Sequence, residues 1–236
     1  ALYKRVGAEP THPGKVQDFG GSWFVLVSRP VCPRMFDIDD NTAWTNMALY
    51  LEAELAAGKW REGAGMRSPE VVDGRGLEYV VTTDVAIRVG ATYQNFYYKT
   101  NRTLTLGLEG TGTSYRQIIE KTCTFEFDGT VDYDGALVRV PRTFGFMSDG
   151  ATFFATSPNS SRARYGLYVG EERGWGGSIF GGRFYGGDCP LRIGRDGDCT
   201  SWAISGATID HGRVANLIGC NLAGSSIRGN NIEHSD

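Results

Sequence analysis

From residue 66 onward the chain alternates short apolar runs with polar turn residues. The clearest runs are 77–83, 86–89, 104–108, 123–127 and 137–140. They are too short for helices and rich in Val, Leu, Phe and Tyr. Asp73-Gly74, Asp128-Gly129, Asp134-Gly135 and Asp149-Gly150 punctuate them, so the pattern predicts strands joined by tight turns. Near the start, Asp18-Phe19-Gly20-Gly21 precedes an aromatic and β-branched run over 22–27, which predicts a hairpin and a strand. Residues 29–41 form a linker with two prolines and the acidic trio Asp37, Asp39 and Asp40. Only over 42–58 does the period change. Trp44, Met47, Ala48, Leu51 and Leu55 recur at three and four, so one amphipathic helix is predicted, capped by Asn41 or Thr42 and ended by Gly58.

The last third carries an internal repeat. Ile179-Phe180-Gly181-Gly182-Arg183-Phe184 aligns with Ile204-Ser205-Gly206-Ala207-Thr208-Ile209 and with Ile227-Arg228-Gly229-Asn230-Asn231-Ile232. A second set of landmarks, Tyr168-Val169-Gly170, Arg192-Ile193-Gly194 and Leu217-Ile218-Gly219, keeps nearly the same period. A coil of about 24 residues suits a solenoid whose short strands pair in parallel with the coils on either side. Inward Ile and Phe would stack, and Gly would supply the corners. The predicted fold is all-β: a right-handed parallel β-helix with a small N-terminal β unit and one capping helix. The expected divisions are an N-terminal β unit over 1–30, a linker and capping helix over 31–65, and the β-helix over 66–236. The helix would shield the exposed strand edge of the first coil. No comparable cap follows Ile232, so further coils or another chain are expected to cover that end.

Composition narrows the class. The chain has 236 residues with 33 Gly, 41% hydrophobic and 22% charged residues, which excludes a disordered tail and, without a strict period, collagen. Net charge is -3 with the signs mixed, so nucleic acid is not an expected partner. No apolar run is long enough for a membrane span. The five cysteines (Cys32, Cys123, Cys189, Cys199 and Cys220) are odd in number and lack CxxC spacing, and there are three His. Buried reduced thiols are expected, and neither a metal nor a cofactor is.

The stretch from Leu2 through Tyr3-Lys4-Arg5-Val6 and Glu9-Pro10 to Gln17, followed by Gly21-Ser22-Trp23-Phe24, Met35-Phe36-Asp37 and the helix, resembles the segment preceding the β-helix of bacteriophage tailspikes. Asp37-Ile38 stands where that family usually has Gly-Ala. The resemblance implies a homotrimer on a virion or virion-like particle, attached to a baseplate or capsid protein through residues 1–30. It also implies recognition of a host cell-surface polysaccharide, which many such spikes cleave.

Glycoside hydrolysis needs two carboxylates about 5 to 9.5 Å apart, and adjacent coils lie about 4.8 Å apart. The candidate carboxylates are Glu171, Glu172, Asp188, Asp196, Asp198, Asp210 and Glu233. Asp210, His211 and Arg213 together offer an acid, a titratable base and a cation, and are the candidate catalytic group. Trp175, flanked by glycines, is a candidate sugar platform, with Glu171 and Asp188 as ligand-binding partners. The competing reading gives Asp196, Asp198, Asp210 and His211 to turns, and Trp175 to packing. Three functions stay open: a polysaccharide-binding spike, a depolymerase with its site in the coils, and an adaptor that anchors another spike.

Overall fold

A computed structural model describes residues 2–27, 29–57, 70–107, 116–195, 199–219 and 224–233. The chain opens with a small antiparallel sheet, β1 (Tyr3–Val6), β2 (Lys15–Gln17) and β3 (Trp23–Leu26), with β3 in the middle. The predicted hairpin joins β2 to β3. Asp18 Oδ1 accepts from the N–H of Gly20 and of Ser22, and Gly21 takes φ +81°.

The helix, α1, runs Asp40–Ala56, two residues earlier than the periodicity suggested. The reason is its cap: Asp39, not Asn41 or Thr42, is the N-cap residue, and its carboxylate accepts from the Thr42 N–H at 2.9 Å. Gly58 lies outside the described residues. Trp44, Met47, Ala48 and Leu51 are buried as the period required, and Leu55 is partly so.

Every strand from Glu70 onward pairs in parallel. The chain revisits three ladders in turn. The first stacks Val72, Tyr93, Ile119, Ser148, Ile179, Ile204 and Ile227. The second stacks Tyr79, Tyr98, Phe125, Phe153, Phe184, Ile209 and Ile232. The third stacks Val85, Leu104, Val138, Leu167, Leu191 and Leu217. Side chains from the three ladders share one apolar core. At its centre the rings of Phe125, Phe153 and Phe184 stack at 5.0 Å per step, within 10° of parallel. Each buried Phe contributes roughly 1.5–3 kcal/mol of transfer free energy. Ile204 and Ile209 are at most 1% exposed, whereas Ile227 and Ile232 are 44% and 47% exposed.

The Ile-x-Gly-x-x-(Ile/Phe) alignment is the observed register. The second set of landmarks holds for its first two members only. Leu217-Ile218-Gly219 enters one residue displaced, with Gly219 opposite Ile193 rather than Gly194. Gly170, inside its strand, and Gly194, just after its own, both take positive φ, whereas Gly219 is a strand residue without it. The repeat also reaches further back than its sequence signature. Coils there are uneven: Tyr79 to Tyr98 is 19 residues, Phe153 to Phe184 is 31 and Phe184 to Ile209 is 25.

The strand Glu70–Val81 is the edge of the first two ladders, and α1 covers it. The Val80 N–H donates to Asp40 Oδ2 at 2.7 Å and the Thr82 N–H to Asn41 Oδ1 at 2.8 Å. Trp44 lies edge-on to Tyr79, Phe96 and Tyr98. Edge donors that would otherwise template another strand are thus satisfied by the first turn of the helix. The β1–β3 sheet rests on the same helix: the Tyr50 hydroxyl donates to the Leu26 carbonyl, and Gly14 leaves room for the Tyr50 ring.

Candidate functional site

On the outside of the third ladder, strand alternation turns Arg139, Tyr168 and Arg192 outward on three successive steps. Tyr165 joins them although Leu167, two residues on, faces the core. The register partners of Tyr165, Ala136 and Cys189, make the same departure, so the irregularity runs across three strands. At Gly166 a Cβ would meet the Pro190 carbonyl oxygen at 2.7 Å and the Phe153 Cβ at 3.4 Å, so the strands approach closely there. The result is an open depression of about 530 Å³, walled also by Arg164, Glu171, Arg195 and Asp134. A second depression of about 200 Å³ adjoins it, sharing Tyr133, Asp134 and Arg164 and adding Asp188 and Arg213.

The groove is built from guanidiniums on phenol rings. Arg192 lies 5.2 Å from the Tyr165 ring centre and 4.9 Å from that of Tyr168, and Arg164 covers Tyr165 at 5.2 Å. Arg192 also donates to the Tyr165 hydroxyl. Its carboxylates are each paired: Glu171 with Arg139 and, at 3.7 Å, Arg195; Asp134 with Arg164 at 2.9 Å. Asp188 pairs with Arg213 at 2.6 Å in the neighbouring depression. Burial pushes the Tyr168 phenol up to about 12, so it stays a hydrogen-bond donor at neutral pH.

The structure separates the residues expected to act together. Asp210 and His211 belong to the outer side of the second ladder. There the His211 ring stacks on Tyr185 at 4.5 Å, and its Nδ1 lies 2.9 Å from Asp210 Oδ1. Arg213 turns away to Asp188 and Asp132. The Asp210-His211-Gly212 step is also a turn: His211 takes φ +58° and its N–H donates to Asp210 Oδ1. Of the expected ligand-binding residues, Glu171 lines the groove and Asp188 the adjoining depression. Trp175 lines neither; it is partly buried and covered by Arg173 at 4.7 Å. Glu172 pairs with Arg142. Asp196 and Asp198 lie outside the described residues.

Glu126, Phe154, Tyr185, Asp210 and Glu233 follow one another on the second ladder's outer side. Burial, then Asp128 and Glu78, raise the Glu126 carboxyl. Three ladder steps separate it from Asp210, about 14 Å, beyond the reach of a hydrolytic pair. Asp210 and Glu233 occupy adjacent steps.

Tyr165, Tyr168, Arg139, Arg164 and Arg192 were not among the expected site residues; Tyr168 and Arg192 entered only as landmarks of the repeat, and the dense Arg164-Tyr165-Gly166-Leu167-Tyr168 stretch is the one further signal. Among the described residues no group of His, Cys, Asp or Glu gathers as for a metal ion. Cys32, Cys123, Cys189 and Cys199 are buried; Cys189 and Cys199 sit in different apolar clusters, and Cys220 lies outside the described residues. Among the described residues no helix is long and apolar enough to cross a membrane. Compared with known protein families, curated proteins and solved structures, the chain matches none.

Proposed function

We propose that the chain is part of a right-handed parallel β-helix spike on a phage or phage-like particle, and that it recognises a host cell-surface polysaccharide. The parallel ladders around one core, closed at one edge by α1, support the solenoid. The observation that carries the binding role is the open groove of arginines and tyrosines, whose donors suit sugar hydroxyls and carboxylates. Residues 1–30 would attach the spike to a baseplate or capsid protein, and a homotrimer would gain avidity from three weak sites.

Binding fits the groove better than cleavage. Its carboxylates are held by Arg, whereas a general acid needs surroundings that favour its protonated form. A depolymerase reading keeps one support, the adjacent steps of Asp210 and Glu233 beside His211. Purified capsule or lipopolysaccharide from candidate hosts, titrated by calorimetry, separates these. Tyr168→Ala is expected to weaken binding about tenfold or more, while Asp210→Asn leaves it unchanged and no reducing ends appear. Unaltered binding by Tyr168→Ala rules out the groove, and loss of released product in Asp210→Asn establishes the depolymerase.

A further inference from the structure

The groove carries a sign opposite to that of the chain. Its walls hold four arginines, Arg139, Arg164, Arg192 and Arg195, against two carboxylates, Asp134 and Glu171, on a protein of net charge -3. Both carboxylates are already ion-paired inside the groove, so the local surplus is positive.

The aromatic rings do not offer open faces. Tyr165 and Tyr168 are each 6% exposed, and guanidiniums lie over them. An uncharged sugar ring or a nucleobase would need such a face to stack on. What the groove presents instead is guanidinium edges. Arg192 uses one N–H on the Gly194 carbonyl and one on the Tyr165 hydroxyl, of its five donors. Contact with two rings and two hydrogen bonds hold the guanidinium in place, which is the preorganisation that a planar, bidentate acceptor rewards. Arg139, Tyr168 and Arg192 repeat along the ladder at about 4.8 Å per step, so the groove runs across coils and suits a linear polymer rather than a single sugar.

Building on the polysaccharide reading of this groove, we infer that its ligand is an acidic polysaccharide, with a sugar carboxylate seated on the Arg192 guanidinium.

The test uses the intact chain with polygalacturonate and hyaluronate as probes, each beside its carboxyl-reduced form. Dextran sulfate and a single-stranded DNA oligonucleotide serve as charge controls, at low and high salt. An acidic polymer is expected to bind about tenfold or more tightly than its reduced form, and to weaken as salt rises. Arg192→Ala should remove that preference, and Arg192→Lys should restore it only in part. Arg164→Ala, at a side chain 46% exposed, gives a second variant whose folding is not in question and should also weaken the acidic polymer. Arg183→Ala, on the outer side of the second ladder, should change nothing. Equal binding of acidic and reduced polymers, lost in Tyr168→Ala, overturns the acidic inference and leaves the groove standing. Binding of no polymer overturns both. Dextran sulfate or DNA binding as tightly as the carboxylated polymers overturns carboxylate recognition in favour of bare charge attraction.

Discussion

Gly150, Gly181, Gly206 and Gly229 occupy one corner column, each with φ between +60° and +72°, and Asn95 holds the equivalent corner with φ +58°. A Cβ at Gly181, Gly206 or Gly229 would meet nothing closer than 3.8 Å. Conformation alone therefore selects glycine there, and this is why the Gly of the repeat was visible in the sequence. Gly182 differs. It has φ +85°, and a Cβ would fall 2.4 Å from the Ala151 carbonyl oxygen of the preceding coil. Gly229→Ala should cost about 1–2 kcal/mol, and Gly182→Ala distinctly more, measured by denaturant unfolding. Equal costs would mean the two positions share one constraint. The groove arginines had no such signature. An outward Arg on a strand obeys no period beyond alternation, and its ring partner is fixed by pairing between coils, as for Arg192 with Tyr168, 24 residues apart.

At the scale of elements, the helix was legible because burial imposes its period, but its start was not. The cap depends on which acid the backbone brings to the Thr42 N–H, and Asp37, Asp39 and Asp40 look alike in sequence. The helix and the strand Glu70–Val81 meet around Arg29. Its guanidinium lies 3.1 Å from Glu54 and 3.0 Å from Glu70, and donates to the Tyr50 hydroxyl. Burial raises the Glu70 carboxyl, and Arg29 only partly offsets that. A raised folded-state value means that Glu70's contribution is present below its ordinary value and is lost as pH rises through the folded one. Glu70→Gln, with no proton to lose, should therefore gain in melting temperature relative to the parent between about pH 3 and pH 7. A gap that stays constant with pH would show that the carboxyl is not perturbed.

For the whole molecule, stability is concentrated where ladders meet. Phe153 stacks on Phe125 and Phe184, and is fully buried. Phe153→Ala is expected to cost about 3–5 kcal/mol, while Ile232→Ala, at a residue 47% exposed in the same ladder, should cost much less. Similar losses would mean the core is uniform along its length. The parallel stacking was readable only where Ile recurs at near-constant spacing. Further back, Ser148 replaces Ile in the first ladder and the coil lengthens, so the pairing persists while the signature fades.

That unevenness has an evolutionary consequence. The ladders hold their register whether the connection between partners takes 19 residues or 31. Lengthening a loop is inexpensive, about 0.6 kcal/mol for each doubling. Corners and outward positions can therefore be rewritten while the inward stacks remain the same. The lining of the groove is thus open to replacement by insertion and point change without a new fold.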